Sequence, residues 1–581
     1  MVAIEDVPTH IPHPQDALIH AAVARFTHGI SPTAVIGAYM DWLAHLSASP
    51  GKMQELGEKA LRKWTRLLLY VANSMTGECP PCIEPLPQDR RFDDPDWQRW
   101  PFNLYYQSFL LLQQWWWNAT SDVHGVSRHH EQVVTFITRQ LLDVLSPSNF
   151  APTNPEVLRE TLKENGSNLA RGAANIWEDA LRLMANRPAM GMEQYRVGSN
   201  LAVTPGKVIY RNRLIELIQY TPRTQTVHPE PVLMIPSWIM KYYILDLSPQ
   251  NSLVKYLVDN GHTVFMVSWK NPGPDDRDLG LDDYLQSGVL AAINAVGKIV
   301  PERKINALGY CLGGTLLAIA AAVMARDADE RLNSVTLLAA ELDFTEPGEL
   351  SLFIDESQIG FLEDIMSTRG YLDGKEMAGA FTLLNSKDLV WSRMVRSYLL
   401  GARAPVTDLM AWNADGTRLP YRMHSEYLRR LYLENDLAEG RYRVDDRPVA
   451  LTDIRAPLFV LGTERDHVSP WRSVYKAHLL TDTEVTFLLT SGGHNVGVVN
   501  PPGPGYPSRS YQVATRSATD RYVDPDAWVA ATPTKEGSWW PEWLSWLKAH
   551  SSGPVAPPTM GAPAAGLVPL CDAPGTFVLA T

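Results

Sequence analysis

The run Gly309-Tyr310-Cys311-Leu312-Gly313-Gly314 decides how this chain is built. Before it, Lys304-Ile305-Asn306-Ala307-Leu308 reads as a short buried strand, and after it Thr315 to Val323 reads as a helix of small apolar residues. Glycines two positions either side of Cys311 let the backbone turn from strand to helix without side-chain clashes. Such a turn lifts the central side chain above the sheet edge and leaves it at a helix N-terminus, where backbone dipoles favour a thiolate. Cys311 is therefore a candidate nucleophile. The competing reading of six residues alone is a buried structural thiol beside a glycine-rich turn.

Two later stretches supply partners. Pro457 to Thr463 is an apolar run of strand length followed by Glu464-Arg465-Asp466-His467, and Val485 to Thr490 is a second, followed by Ser491-Gly492-Gly493-His494-Asn495. Each run ends where a strand hands over to a loop. Asp466 is the candidate acid and His494 the candidate base. His467 competes, but the strand before His494 comes last in the chain, and the preceding strand already claims Asp466. Nucleophile, acid and histidine in this order, each after a core strand, resemble the α/β-hydrolase fold, and the run around Cys311 resembles its nucleophile elbow. The fold class expected is α/β: a doubly wound, mostly parallel sheet with a helical cap insertion, preceded by a mainly helical N-terminal domain.

The 581 residues, 45% hydrophobic, can bury a large core and suggest more than one folding unit. A net charge of −12 and a pI near 5.7 give no basic bias toward nucleic acid or anionic lipid. The cysteines, Cys79, Cys82, Cys311 and Cys571, are too few for a disulfide framework, and Cys79-Pro80-Pro81-Cys82 reads as a loop. The first residues lack a signal pattern, and no apolar stretch approaches the roughly 18 residues of a membrane span. A cytoplasmic, reduced protein without a membrane span is the expectation. Residues 1–205 read as a mainly helical domain; its Trp115-Trp116-Trp117 run suggests helix packing, and His124, His129 and His130 lack completing metal ligands. Residues 206–550 alternate strand and helix, interrupted at about 340–442 by helical, aromatic-rich sequence suited to a cap. Residues 551–581 form a Pro/Ala/Gly-rich tail that reads as loose in part.

From about Asp89 to Trp546 the chain resembles polyhydroxyalkanoate synthases, most closely the class I enzymes. The elbow around Cys311 carries the likeness, together with Asn154-Pro155-Glu156, Asn200-Leu201-Ala202-Val203-Thr204-Pro205-Gly206 and Tyr243-Ile244-Leu245-Asp246-Leu247. So do Val267-Ser268-Trp269, Leu342-Asp343-Phe344, Trp412-Asn413 and Gly537-Ser538-Trp539-Trp540-Pro541. The resemblance implies catalytic roles for Cys311, Asp466 and His494. It implies polymerisation of (R)-3-hydroxyacyl-CoA, with 3-hydroxybutyryl-CoA favoured, and release of CoA from a covalent Cys thioester. No cofactor is implied, because the substrate carries coenzyme A. A homodimer on the surface of polyester granules, holding the growing chain, is also implied.

The thiol suits that reaction. A Cys attacking a thioester exchanges one thioester for another at almost no free-energy change, and a hydroxyl attacking the acyl-enzyme then forms an oxygen ester downhill. A serine would reach the ester level at once. His494 would take the thiol proton, and Asp466 would either orient His494 or help activate the incoming hydroxyl. The backbone N–H of Leu312 should stabilise the oxyanion, with a second donor from Trp238 or Ile239. The chain departs from the family at Pro236-Ser237-Trp238, at Gly492-Gly493-His494-Asn495, and at Asn385, where arginine is expected. Two other readings stay open: a cysteine-dependent hydrolase, thioesterase or depolymerase, using the same residues, and a non-catalytic granule-coating partner.

Overall fold

The computed structural model describes residues 13–74, 79–374, 376–377, 379, 387–503 and 509–580. Eleven strands form one sheet: β1 Gly206–Arg211, β2 Ile215–Tyr220, β3 His228–Ile235, β4 His262–Trp269, β5 Ile305–Tyr310 and β6 Leu332–Leu338, followed by β7 Leu458–Thr463, β8 Val485–Thr490, β9 Ser510–Arg516, β10 Thr534–Glu536 and β11 Cys571–Asp572. Their order is β10-β9-β8-β7-β6-β5-β3-β4-β2-β1-β11. The central six, from β4 to β8, are parallel, and the flanking strands are antiparallel. The order reverses beside β5, which places the elbow at the crevice where doubly wound sheets carry their sites.

The central strands are apolar throughout because both faces are covered. Every residue of β4, β5, β7 and β8 is buried. Alternate residues serve opposite faces. Leu233, Ile235, Phe265, Val267 and Val460 belong to one core, with the helices Ala291–Ile299 and Leu312–Arg326 against it. Val232, Met234, Val264, Met266 and Phe459 belong to the other, with Leu253–Asp259 and Trp540–Ala549. The small residues of Leu312–Arg326 let that helix lie close: Leu312 to Met324 are all buried.

The described residues fall into two compact units, one of 194–378, 407–581 and the residues up to Gly29, the other of 30–193 and 379–406. In the first, helix Pro14–Thr27 joins the sheet unit rather than the other helices: His20 pairs with Asp364, and Gln358 Nε2 donates to Gly29 O at 2.7 Å. The tail is firmly seated instead of loose. β11 pairs with β1, and the buried Glu216 carboxylate accepts from Thr576 N–H, Thr576 Oγ1–H and Phe577 N–H at 2.7–3.0 Å. Proline and glycine content missed this because the anchor, Glu216, lies on β2, far away in sequence.

The second unit is helical. Phe92, Trp97, Tyr106, Phe109 and Leu110 form its aromatic core, and the buried Arg91 guanidinium bridges Asp89 at 2.6 Å and Asp143 at 2.7 Å. Of the tryptophan run, Trp115 Nε1–H donates to Leu56 O at 3.1 Å, as helix packing requires, whereas Trp117 is exposed. His130 is bound to Asp41 at 2.6 Å. The described residues of 379–406, part of the expected cap, group here: Arg403 and Tyr398 both bind Asp179, and Asn168 binds Leu399 O. Asn385 lies outside the described residues.

Candidate active site

The elbow is as tight as its glycines suggest. β5 ends at Tyr310, a helix begins at Leu312, and Cys311 between them holds φ 53°, ψ −128°, a strained conformation for a residue with a side chain. A Cβ on Gly309 would collide with Gly314 Cα and Gly313 O, and one on Gly313 with the carbonyls of Ile235 and Pro236. The strain is held by neighbours on both sides, including the bond from Cys311 N–H to Leu338 O at 2.9 Å.

Asp466 and His494 meet across the ends of β7 and β8. His494 Nδ1 lies 2.9 Å from Asp466 Oδ2, which also accepts from Thr463 Oγ1–H at 2.9 Å. Asp466 Oδ1 accepts the N–H groups of Val468 and Ser469 at 2.9 and 2.8 Å. Burial opposes the Asp466 charge, but the His494 charge, its hydrogen bond and the two N–H groups outweigh it and hold the carboxyl below the usual range. Burial would lower His494, yet the charges of Asp466 and then Cys311, with hydrogen bonding, raise it well above its ordinary value. Cys311 and Asp466 thus both act on His494, which is hydrogen-bonded to Asp466. The competing His467 is exposed and contributes its backbone carbonyl, accepting Glu349 N–H at 2.9 Å.

Local sequence explains how His494 is held. Gly492 takes φ 110°, a value open to glycine, and the helix His494–Val498 follows directly. Trp539 Nε1–H donates to Gly497 O at 2.9 Å and Trp540 Nε1–H to Val498 O at 3.1 Å, which clamps that helix onto the sheet unit. Asn495 has its own partner: its Oδ1 accepts the Tyr310 hydroxyl at 2.6 Å, and the Tyr310 ring lies 5.5 Å from the His494 ring. Of the two second-donor candidates, Ile239 N–H is already given to Ser237 Oγ at 3.3 Å, and both Trp238 and Ile239 are buried. Leu312 is the first residue of the elbow helix.

Three groups near the thiol escaped sequence reasoning: the buried Glu341 and Tyr427 and the partly buried Tyr432. Each exchanges electrostatic influence with Cys311. A run after β6 and a helical cap give no sequence signal of this proximity.

Residues 88–257 match the model of the poly-beta-hydroxybutyrate polymerase (PhaC) N-terminus, 10–52 that of the poly-beta-hydroxybutyrate polymerase N terminal, and 230–501 that of the alpha/beta hydrolase fold. A poly(3-hydroxyalkanoate) polymerase of Methylorubrum extorquens is 40% identical over 92% of this chain and 88% of its own length. The chain belongs to the poly(3-hydroxyalkanoate) polymerase family. Other members include the polymerase subunit of Rhizobium etli, 35% identical over 98% of this chain and 88% of its own, and that of Cupriavidus necator, 35% identical over 89% and 87%. Among solved structures the chain is similar to a monoacylglycerol lipase of Paleococcus ferrophilus, at 12% identity and a TM-score of 0.33, over 58% of this chain and 99% of that one. Among the described residues, no helix is long and apolar enough to cross a membrane.

Proposed function

We propose that this enzyme polymerises (R)-3-hydroxyacyl-CoA monomers, with 3-hydroxybutyryl-CoA the first to test, through a thioester on Cys311. Family membership makes it a polyester-forming acyltransferase. The observation that supports the residue assignment is His494, hydrogen-bonded to Asp466 and electrostatically coupled to Cys311. In the first half-reaction the Cys311 thiol proton passes to His494, the sulfur bonds the acyl carbon, and the carbon–sulfur bond to CoA breaks. His494 returns the proton to the departing CoA thiolate. In the second, a 3-hydroxyl attacks the Cys311 thioester, gives its proton to His494, and releases the enzyme thiolate as an oxygen ester forms.

Asp466 acts as the orienting acid in this scheme: both its oxygens are already bound, one to Thr463 and His494, the other to two backbone N–H groups. The oxyanion donors are Leu312 N–H and Trp238 N–H, the latter favoured because Ile239 N–H is engaged by Ser237. No cofactor enters the scheme, since the CoA thioester is itself the activated group. The homodimer and the granule-bound, cytoplasmic location implied by the resemblance belong to the same proposal. Sedimentation of the purified chain and imaging of a tagged copy in a polyester-forming host test them.

Incubation with 3-hydroxybutyryl-CoA decides the reaction. Chain growth with CoA release supports the synthase; CoA release with free 3-hydroxybutyrate supports a hydrolase. Cys311→Ala should lower both signals by at least about 10³-fold, as expected for loss of a covalent nucleophile. Turnover surviving in that variant would remove the thiol from the mechanism.

A further inference from the structure

Four adjacent strands each deliver one titratable group at the same edge of the sheet: His494 after β8, Asp466 after β7, Glu341 after β6 and Cys311 after β5. Three of these are used in the proposed reaction, and Glu341 is not. Its strand lies between those of the acid and the nucleophile. The residue is 4% exposed, and its Oε1 has no hydrogen-bond partner. Its backbone is fixed, because Glu341 O accepts Thr315 Oγ1–H at 2.8 Å from the first turn of the elbow helix. The preceding Ala340 lies so close to Gly314 that a Cβ there would meet its methyl at 2.5 Å. The Glu341 backbone is therefore fixed against the first turn of the elbow helix, one strand over from the nucleophile.

Every element packed around Glu341 brings a charged or titratable group. The elbow brings Cys311, the loops after β7 and β8 bring Asp466 and His494, and the turn after helix Trp471–Tyr475 brings Lys476. The segment between β6 and β7 brings Tyr427 and Tyr432, whose rings pack edge to face with centroids 5.3 Å apart. Lys476 is drawn toward Asp343 and Glu346, 3.4 and 3.8 Å away. Burial first, then the negative charges of Asp466 and Cys311, push the Glu341 carboxyl well above its usual range against the weaker pull of His494 and Lys476.

We infer that Glu341 is a positioning residue for the Cys311–His494 pair, a carboxylic acid that must keep its proton for the thiolate to form beside it. Asp466 already supplies one negative charge, stabilised by four hydrogen bonds. A second carboxylate, bare at Oε1, would add its charge to that of the developing thiolate with only His494 and Lys476 to offset it. Coupling between titrating groups is reciprocal. Cys311 opposes ionisation of Glu341, and a buried carboxylate with no partner at Oε1 in turn opposes a second negative charge on the neighbouring strand's sulfur. Activity then falls when Glu341 loses its proton.

This inference rests on Cys311 as the nucleophile, and full-length Glu341→Gln, which keeps the shape without a titrating proton, tests it by two measurements. The infrared band of a protonated carboxylic acid, present in the wild type at mildly alkaline pH, should be missing from the difference spectrum of the variant. The alkaline fall of kcat/KM for CoA release should move upward by about one pH unit, a tenfold gain at a pH beyond the wild-type limit. An unchanged carboxylic-acid band, or an alkaline fall at the same pH in both proteins, overturns the role. If Glu341→Gln does not fold, Glu341→Met provides the same two readings. Cys311→Ala in the same assay separates the failures: an active Cys311→Ala sinks the mechanism, whereas an inactive one beside an unshifted Glu341→Gln profile sinks this inference alone.

Discussion

Asp466 and His494 make pH the most informative variable at the scale of single residues. His494 is raised in the folded protein, so its contribution to stability is complete below its ordinary value of 6.5 and is lost as pH climbs through the folded value. Asp466 is lowered, so its contribution is complete above 3.8 and is lost as pH falls through its folded value. Both contributions are whole between 3.8 and 6.5. Thermal melts of wild type and Asp466→Asn should differ most in that window, and the gap should narrow as pH climbs through the folded value of His494. The same substitution removes the acceptor that fixes the imidazole, and CoA release should drop on the order of 10³-fold. A constant gap in Tm from acid to alkaline pH would show that the pair does not titrate as its surroundings require.

At the scale of elements, the elbow and the helix Glu356–Arg369 offer opposite outcomes for the same chemical change. Gly309→Ala drives a methyl into the Gly313–Gly314 backbone, which has no room to move, and should cost about 2–3 kcal/mol of unfolding free energy. Gly360→Ala places its methyl inside a helix with nothing within 4 Å and should gain up to about 1 kcal/mol. Denaturant midpoints measured side by side check both. Equal midpoints for the two variants would mean that the close approach of backbones at the elbow is not what its glycines serve.

For the whole molecule, the C-terminal tail is a structural clamp. The Glu216 side chain is fully buried, and its only ion-pair partner among the described residues is Arg211, which bonds it at 2.5 Å. The remaining acceptor capacity is filled by Thr576 and Phe577. Further along, Lys241 Nζ donates to Ala580 O at 2.6 Å, two residues beyond Ile239 in the loop after β3. Deleting 570–581 removes β11 and leaves the buried Glu216 carboxylate with Arg211 but without its three donors from the tail, at a cost of about 3 kcal/mol. The melting temperature should fall, and it should fall further with Glu216→Gln in the shortened chain, which removes the ion pair with Arg211. A truncated chain that melts with the full-length protein would show the tail to be dispensable.

Much of this molecule was legible in one dimension. The elbow could be read because a strand, a glycine-bracketed nucleophile and a small-residue helix occupy consecutive positions, and local sterics leave that pattern few conformations. Asp466 and His494 were legible because each follows a buried strand at short range, and chain order in a doubly wound sheet limits which strand ends lie together. The parallel core could be read from continuous apolar runs. What stayed hidden depends on partners distant in sequence. Glu341 looked like one more residue after a strand until the sheet order set it between Asp466 and Cys311. The tail looked loose until Glu216, some 360 residues earlier, was found receiving its N–H groups. Sequence determined the local turns and the order of the groups, because those follow from nearest-neighbour sterics and burial. The tertiary structure alone decided which buried charge faces which, because electrostatic coupling depends on distance through space and not along the chain.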